Sequence, residues 1–347
     1  MHKARKRIGW WLLLLSIGLP VAILYLLPER PTSVLFGHGE YVTSIAIAPD
    51  ARTAATASAD RTVRLWSLES RKTINILGPF SKTVEVVTFS PDGTLLAIAS
   101  GIAKNVLGAD RYSEDGDSKI KIYDTTKGTI LKELFGHDWD VLCLAFSPDG
   151  SLLASSDSGR SLILWDSTSW EQRSSMRVTF GAITGIGFVG NGEHLVVATR
   201  DGSLICYDTR NHGIVWSNSC AHTEPITCLA SSPNGPFLAT GSHDGTARVW
   251  HSASGSLFAV FESGQSVSSM SFSGDGSLLA VSDYPPGIHV PILEAGHVRI
   301  WDIEAKKLVK SYRGQHKGIR AVALSKDAGT LLSGDFTGSV SIWSLRR

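Results

Sequence analysis

Cysteine and methionine are scarce in this 347-residue chain, four of the first and three of the second. Four cysteines cannot staple a chain of this length, so a disulfide scaffold is excluded. Charged residues make up only 19% against 43% hydrophobic ones, which excludes a disordered regulator. No Asn-x-Ser/Thr sequon occurs, so nothing marks a glycosylated surface. Outside one N-terminal segment, no stretch spaces its apolar residues every 3.6 positions as an amphipathic helix would. What is plentiful is glycine, with 34 residues, and tryptophan, with 10. The length bounds the chain to one large domain or two ordinary ones, with ample apolar content for a core.

The net charge of +1 conceals two materials. Residues 1–30 carry Lys3, Arg5, Lys6, Arg7 and Arg30 against Glu29, a net +4, which leaves −3 for the rest. Between the basic flanks, Ile8 to Leu27 is free of formal charge. Twenty helical residues reach about 30 Å, the thickness of a bilayer's hydrocarbon core. Trp10, Trp11 and Tyr25 stand near the ends of this run, and Pro20 is tolerable in lipid. Competing readings are a cleaved secretory signal and a buried soluble helix. The run is longer than a usual signal core, however, and LYLLPERP contains no small-x-small site. The expectation is therefore a signal-anchor helix over about residues 8–27 with a cytoplasmic N-terminus and an extracytoplasmic domain. Secretion after cleavage is the alternative.

From residue 31 to 347 the chain repeats itself. FSPDGTLLA from Phe89 and FSPDGSLLA from Phe146 have near copies beginning at Ile47, Phe188, Ser231, Phe272 and Leu324. Each copy is followed by an aromatic: Trp66, Tyr123, Trp165, Tyr207, Trp250, Trp301 and Trp343. These are spaced 42 or 43 residues apart, except for gaps of 57 and 51 that mark two insertions. Alternating runs such as Thr62 to Trp66 read as strands. The Asp-Gly and Asn-Gly pairs supply the positive φ of tight hairpins.

Gly37-His38 and Gly136-His137 open units, and Trp165-Asp166 and Trp301-Asp302 close others. With the period, these marks resemble WD40 repeats over about residues 32–347. The resemblance implies an all-β, seven-bladed propeller of four-stranded blades. It also implies a buried His, Ser or Thr, Asp and Trp joined by hydrogen bonds within a blade. Two units match in full: His38, Ser58, Asp60, Trp66 and His222, Ser242, Asp244, Trp250. A third keeps His137 and Trp165 but has Gly159 at the Asp place, and the second, fourth and sixth lack the His. Those blades are expected to be looser. The last unit stops after its third strand, and Thr32 to Phe36 can supply the fourth, removing an open sheet edge.

Other motifs read more plainly. Gly185-x-Gly187-x-x-Gly190 fits a dinucleotide fingerprint in letters only, since it falls on an innermost strand with no helix after it. Asp110, Glu114, Asp115 and Asp117 lie in the first insertion without calcium-loop spacing. The histidines and cysteines form no metal pattern, and Cys143, Cys206 and Cys228 read as small buried hydrophobes. A Cys220–Cys228 disulfide is conceivable only in an oxidising compartment. No cofactor, metal or catalytic residue is expected, and a domain of −3 without a basic run disfavours nucleic acid.

The two insertions, in blades two and six, and the residues after each Gly-His share one face of the disc. Tyr41, Trp139, Arg320, Arg111, Tyr112, Tyr284 and His289 are its candidate binding residues, because exposed aromatics and arginines anchor interfaces. The function expected is a membrane-anchored, non-enzymatic scaffold for protein partners. The alternative is a small-ligand sensor or an enzyme using the central channel.

Overall fold

The computed structural model describes residues 30–101, 118–284, 296–314 and 318–345. Within them, twenty-eight strands form seven four-stranded antiparallel sheets. Blade one runs outward through Val42–Ile47, Thr53–Ser58, Val63–Ser67 and Lys72–Leu77. The innermost strands of blades two to seven are Thr83–Phe89, Val141–Phe146, Ile183–Val189, Ile226–Ser231, Ser266–Phe272 and Ile319–Leu324. Each packs on the innermost strands either side of it, closing a ring. Ser33–Leu35 is the outer strand of blade seven, with Ser33 opposite Ile342 and Leu35 opposite Val340. The first and last strands of the propeller are thus sewn into one sheet.

Burial follows position in the blade. Leu152–Asp157, a second strand, is buried throughout, whereas the outer strand Lys72–Leu77 leaves Ile74 and Ile76 exposed. Apolar side chains of the middle strands fill the gaps between sheets, as in the cluster of Ile98, Val84, Phe80, Val63 and Leu65 between blades one and two. The inner hairpins turn through a repeated Asp-Gly, where Gly93, Gly150 and Gly276 have φ near +75°. Ala51 and Ala328 take the same left-handed turn at φ +55° and +53°, at a cost of about 1 kcal/mol that glycine avoids. The turn aspartates brace these corners: Ser147 Oγ donates to Asp149 at 2.5 Å and Ser273 Oγ to Asp275 at 2.6 Å.

Every innermost strand carries one extra residue after its first ladder pair or, in blades two and six, its second. These bulge residues are Thr43, Glu85, Leu142, Thr184, Thr227, Ser268 and Arg320. A bulge re-aims its side chain out of the ladder. Three of them reach the next blade: Thr43 Oγ1 donates to Val84 O at 2.5 Å, Thr227 Oγ1 to Val267 O at 2.7 Å, and Ser268 Oγ to Ile319 O at 2.7 Å.

The expected segment over residues 8–27 lies outside the described residues. Among the described residues no helix is long and apolar enough to cross a membrane, and the one helical element is a 3-10 turn at Gly190–Gly192. The described residues support the expected all-β propeller, and a preceding transmembrane helix has no support among them.

Candidate functional site

The polar interior of the blades sets the face above it. In blade one His38 joins Asp60 through Nδ1 at 2.8 Å and Thr56 Oγ1 through Nε2 at 2.8 Å, and Trp66 Nε1 donates to the same Thr56 oxygen at 2.8 Å. An indole N–H only donates and a carboxylate only accepts, so one neutral tautomer of His38 satisfies the whole chain. Blade five repeats it with His222, Asp244, Thr240 and Trp250. The linking hydroxyls are thus Thr56 and Thr240, two residues before the expected Ser58 and Ser242. Those serines instead bond backbone at the corner, Ser58 Oγ to Glu40 O and Ser242 Oγ to Glu224 O, each at 3.0 Å.

Blade three, expected to lack its acid, is complete. His137 bonds Asp157 at 2.8 Å and Ser155 at 2.7 Å, with Trp165 Nε1 on Ser155. Asp157 stands opposite Val141, as Ser58 stands opposite Val42. Gly159 has a different purpose. A Cβ there would overlap the Trp139 ring, so the missing side chain is the seat for that indole. Blade six, expected to be loose, has its own device: Arg299 Nη1 and Ser263 Oγ both donate to the fully buried Asp283, and His297 N donates to its other oxygen at 2.9 Å.

Burial pulls the His38 and His222 pKa values below the usual imidazole range, against their aspartates, which favour the charged form. Desolvation opposes ionisation of Asp60, but hydrogen bonds from Thr62 and His38 outweigh it and hold its carboxyl below the ordinary value. These pairs are neutral-imidazole hydrogen bonds at pH 7.

On the face carrying the Gly-His loops, three of the expected residues meet. The Arg320 guanidinium carbon lies 4.8 Å from the Tyr41 ring centre and 5.9 Å from that of Phe336. The Tyr41 and Phe336 rings are 5.9 Å apart, and Tyr284 stands edge-on to Phe336 at 6.5 Å. All four side chains are half-buried. Gly318, at φ +23°, lets Phe336 lie against the backbone, because a Cβ there would come 3.1 Å from its ring. Burial pushes the Tyr41 phenol above its ordinary pKa, opposed by Arg320 and assisted by Glu85 and Glu40. Blade one lies between blades seven and two, so Tyr41 stands between the bulge residues Arg320 and Glu85. Lys82 holds Asp140 at 2.9 Å on the same rim.

Trp139 rests against its own blade at Gly159 rather than in the Tyr41 cluster. Arg111, Tyr112 and His289 lie outside the described residues, as does the acidic run from Asp110 to Asp117. Phe336 was not anticipated, although it follows Asp335 near the end of its blade's second strand just as Tyr284 follows Asp283. Glu85 was missed too, despite being a lone charge in an apolar inner strand.

The WD domain, G-beta repeat (WD40) pattern matches residues 29–67, 128–166, 216–251 and 306–344. Each match joins the outer strand of one blade to the first three strands of the next, and together they land on blades one, three, five and seven. The chain carries WD40 repeats within a seven-bladed β-propeller. It is similar to the transcriptional corepressor LEUNIG_HOMOLOG of Arabidopsis thaliana, 25% identical over 85% of this chain and 34% of the relative. It is also similar to transcription initiation factor TFIID subunit 5 of Caenorhabditis elegans, 25% identical over 65% of this chain and 33% of that protein. A third relative is the serine-threonine kinase receptor-associated protein of Rattus norvegicus, 26% identical over 65% of this chain and 71% of the relative. The chain spans about a third of the first two. None of the three is named for a catalytic activity.

The expected localisation is corrected by the comparisons: these relatives are named for transcription and for association with a receptor. The single-pass anchor with an extracytoplasmic propeller, and the secreted alternative, are withdrawn.

The remaining motifs of the propeller are packing features. A Cβ on Gly185 would come 2.7 Å from Leu229 Cβ on the neighbouring innermost strand, and one on Gly187 would collide with Ser231. These glycines therefore allow two inner strands to approach. None of the four cysteines forms a disulfide, and burial pushes the Cys206 thiol up to about 12, which suits packing and not reactivity.

Proposed function

We propose that this propeller is a non-enzymatic platform for protein partners, and that it binds them on the face where Tyr41, Arg320, Tyr284 and Phe336 converge. The observation that carries the reading is this convergence. Four interface-type side chains from three blades meet at the inner rim of a rigid ring, half-buried and held by a bulge and a glycine. Aromatic and arginine side chains in such settings concentrate binding energy. The names of the relatives, a corepressor, a subunit of an initiation factor and a receptor-associated protein, favour protein partners over small substrates. Trp139, seated on Gly159, extends the same surface toward blade three.

The test is affinity capture with the whole chain against Tyr41→Ala/Arg320→Ala. Capture should fall at least about tenfold, the loss of one modest hot spot. The thermal midpoint should stay within a few degrees, because neither side chain belongs to a blade interior. Equal capture by the folded double variant rejects this face as the binding surface.

A further inference from the structure

The Arg320 side chain is set in place before any partner arrives. Its residue is the bulge of blade seven, with Ile319 opposite Asp335 and Ala321 opposite Gly334. The backbone on both sides is tied to blade six: Ser268 Oγ donates to Ile319 O at 2.7 Å, and Val322 N donates to Ser269 Oγ at 3.2 Å. The guanidinium then lies over two rings. Stacking uses the faces of the cation and leaves its hydrogen-bonding edge in the plane unspent. Among the described residues, Arg320 has no hydrogen-bond acceptor and no ion-pair partner.

We infer that Arg320 is a receptor for one carboxylate, so that the segment docking on this face presents an Asp or Glu side chain to its guanidinium. The inference rests on the interaction reading of the face and deepens it by naming the partner's chemistry. A planar guanidinium with a free edge matches a carboxylate in two parallel bonds. A phosphate dianion is matched by a cluster of cations, and the described residues around Arg320 do not provide one. Lys82 is committed to Asp140 at 2.9 Å, and Glu85 and Glu40 act on Tyr41 beside the arginine. Those two acids also set direction, since a partner carboxylate is favoured toward blade seven and repelled toward blade two.

The experiment selects a phage-displayed library of random dodecapeptides on the whole chain. The best peptide, its Glu→Gln (or Asp→Asn) version and its phosphoserine version are then titrated against wild type, Arg320→Gln, Arg320→Lys and Tyr41→Ala. The expected result is an acid at one fixed peptide position. Either neutralisation should weaken binding about ten- to hundredfold, the worth of a charge-assisted pair, with little further loss when both are made. Arg320→Lys should recover part of the loss, and it keeps the test decisive if Arg320→Gln fails to fold. Peptides that depend on Tyr41 but show no fixed acid overturn the carboxylate assignment alone. A phosphoserine version binding more than tenfold tighter through Arg320 also overturns it. If every selected peptide is indifferent to Tyr41→Ala and Arg320→Gln, both this assignment and the face reading fall.

Discussion

Odd and even blades of this propeller solve the same packing problem with different atoms. At the middle of the second strand, the odd blades place Thr56, Ser155, Thr240 and Ser333, and each accepts the indole N–H of its own blade's tryptophan. The even blades place Ile98, Val197 and Val281 at the equivalent ladder position. One hydroxyl makes room for a polar chain through the blade, and one methyl group removes the need for it. Both solutions are sound, because a buried polar group is tolerated when fully paired and an apolar replacement needs no partner. The WD40 pattern matches only the odd blades, so its reach coincides with the polar solution and says nothing about the stability of the other.

The comparison can be broken most forcefully in blade six, the even blade that returned to polarity with an ion pair. Arg299→Met leaves Asp283 buried without its charge partner and should cost about 3–5 kcal/mol, lowering the denaturant midpoint sharply. Arg299→Met combined with Asp283→Leu should recover most of that loss. A double variant as unstable as the single one would show that the pair is not the source.

Next in size is Thr240→Val, which imports the even solution into blade five without removing His222 and Trp250. Two buried groups lose their partner, so about 2 kcal/mol should be lost, readable in equilibrium unfolding. The triple variant with His222→Leu and Trp250→Phe should be closer to wild type, and a Thr240→Val protein of unchanged stability would refute the accounting.

Acidification separates the two classes without mutation. His38 and His222 have folded pKa values below the unfolded one. The unfolded chain therefore binds the extra protons, and stability is lost as pH falls below about 6.5, by up to ~1.4 kcal/mol per pH unit for each group. Asp60 and Asp244, whose folded pKa values are also lowered, continue the same trend below about pH 4. Melting temperature against pH for His38→Gln/His222→Gln should be flatter between pH 7 and 5 than for wild type. Parallel curves would mean that these imidazoles are not buried neutral.

The smallest effect distinguishes neighbouring hydroxyls. Ser58→Ala removes a corner bond to Glu40 O and should cost under about 1 kcal/mol, less than Thr56→Val in the same blade. The reverse order would return Ser58 to the linking place in which the repeat pattern had put it.

That pair of residues shows where sequence reading stops. Tyr41, Arg320 and Tyr284 could be assigned to one face because loop order in a repeat dictates which loops share a rim. Phe336 could have been added on the same ground. Glu85 and Arg320 occupy equivalent bulges, yet a bulge depends on how two strands settle into register, and no residue type announces it. Gly159 read as a lost aspartate because the pattern was followed by position, whereas the hydrogen bond follows reach, and Asp157 reaches His137 from a neighbouring register.

The sequence by itself determined the number of blades, the hairpin turns, the closing strand and the face on which candidate residues stand. Each is set by local spacing: period-two strands, left-handed glycines and a 42-residue repeat. The tertiary structure alone decided which hydroxyl joins each histidine to its tryptophan, which acid answers Arg299, and that Tyr41 and Phe336 flank one stacked guanidinium. Those are distances of about 3–6 Å between residues up to 295 positions apart in the chain. They are fixed only when the ring closes and every buried polar atom must find a partner within reach.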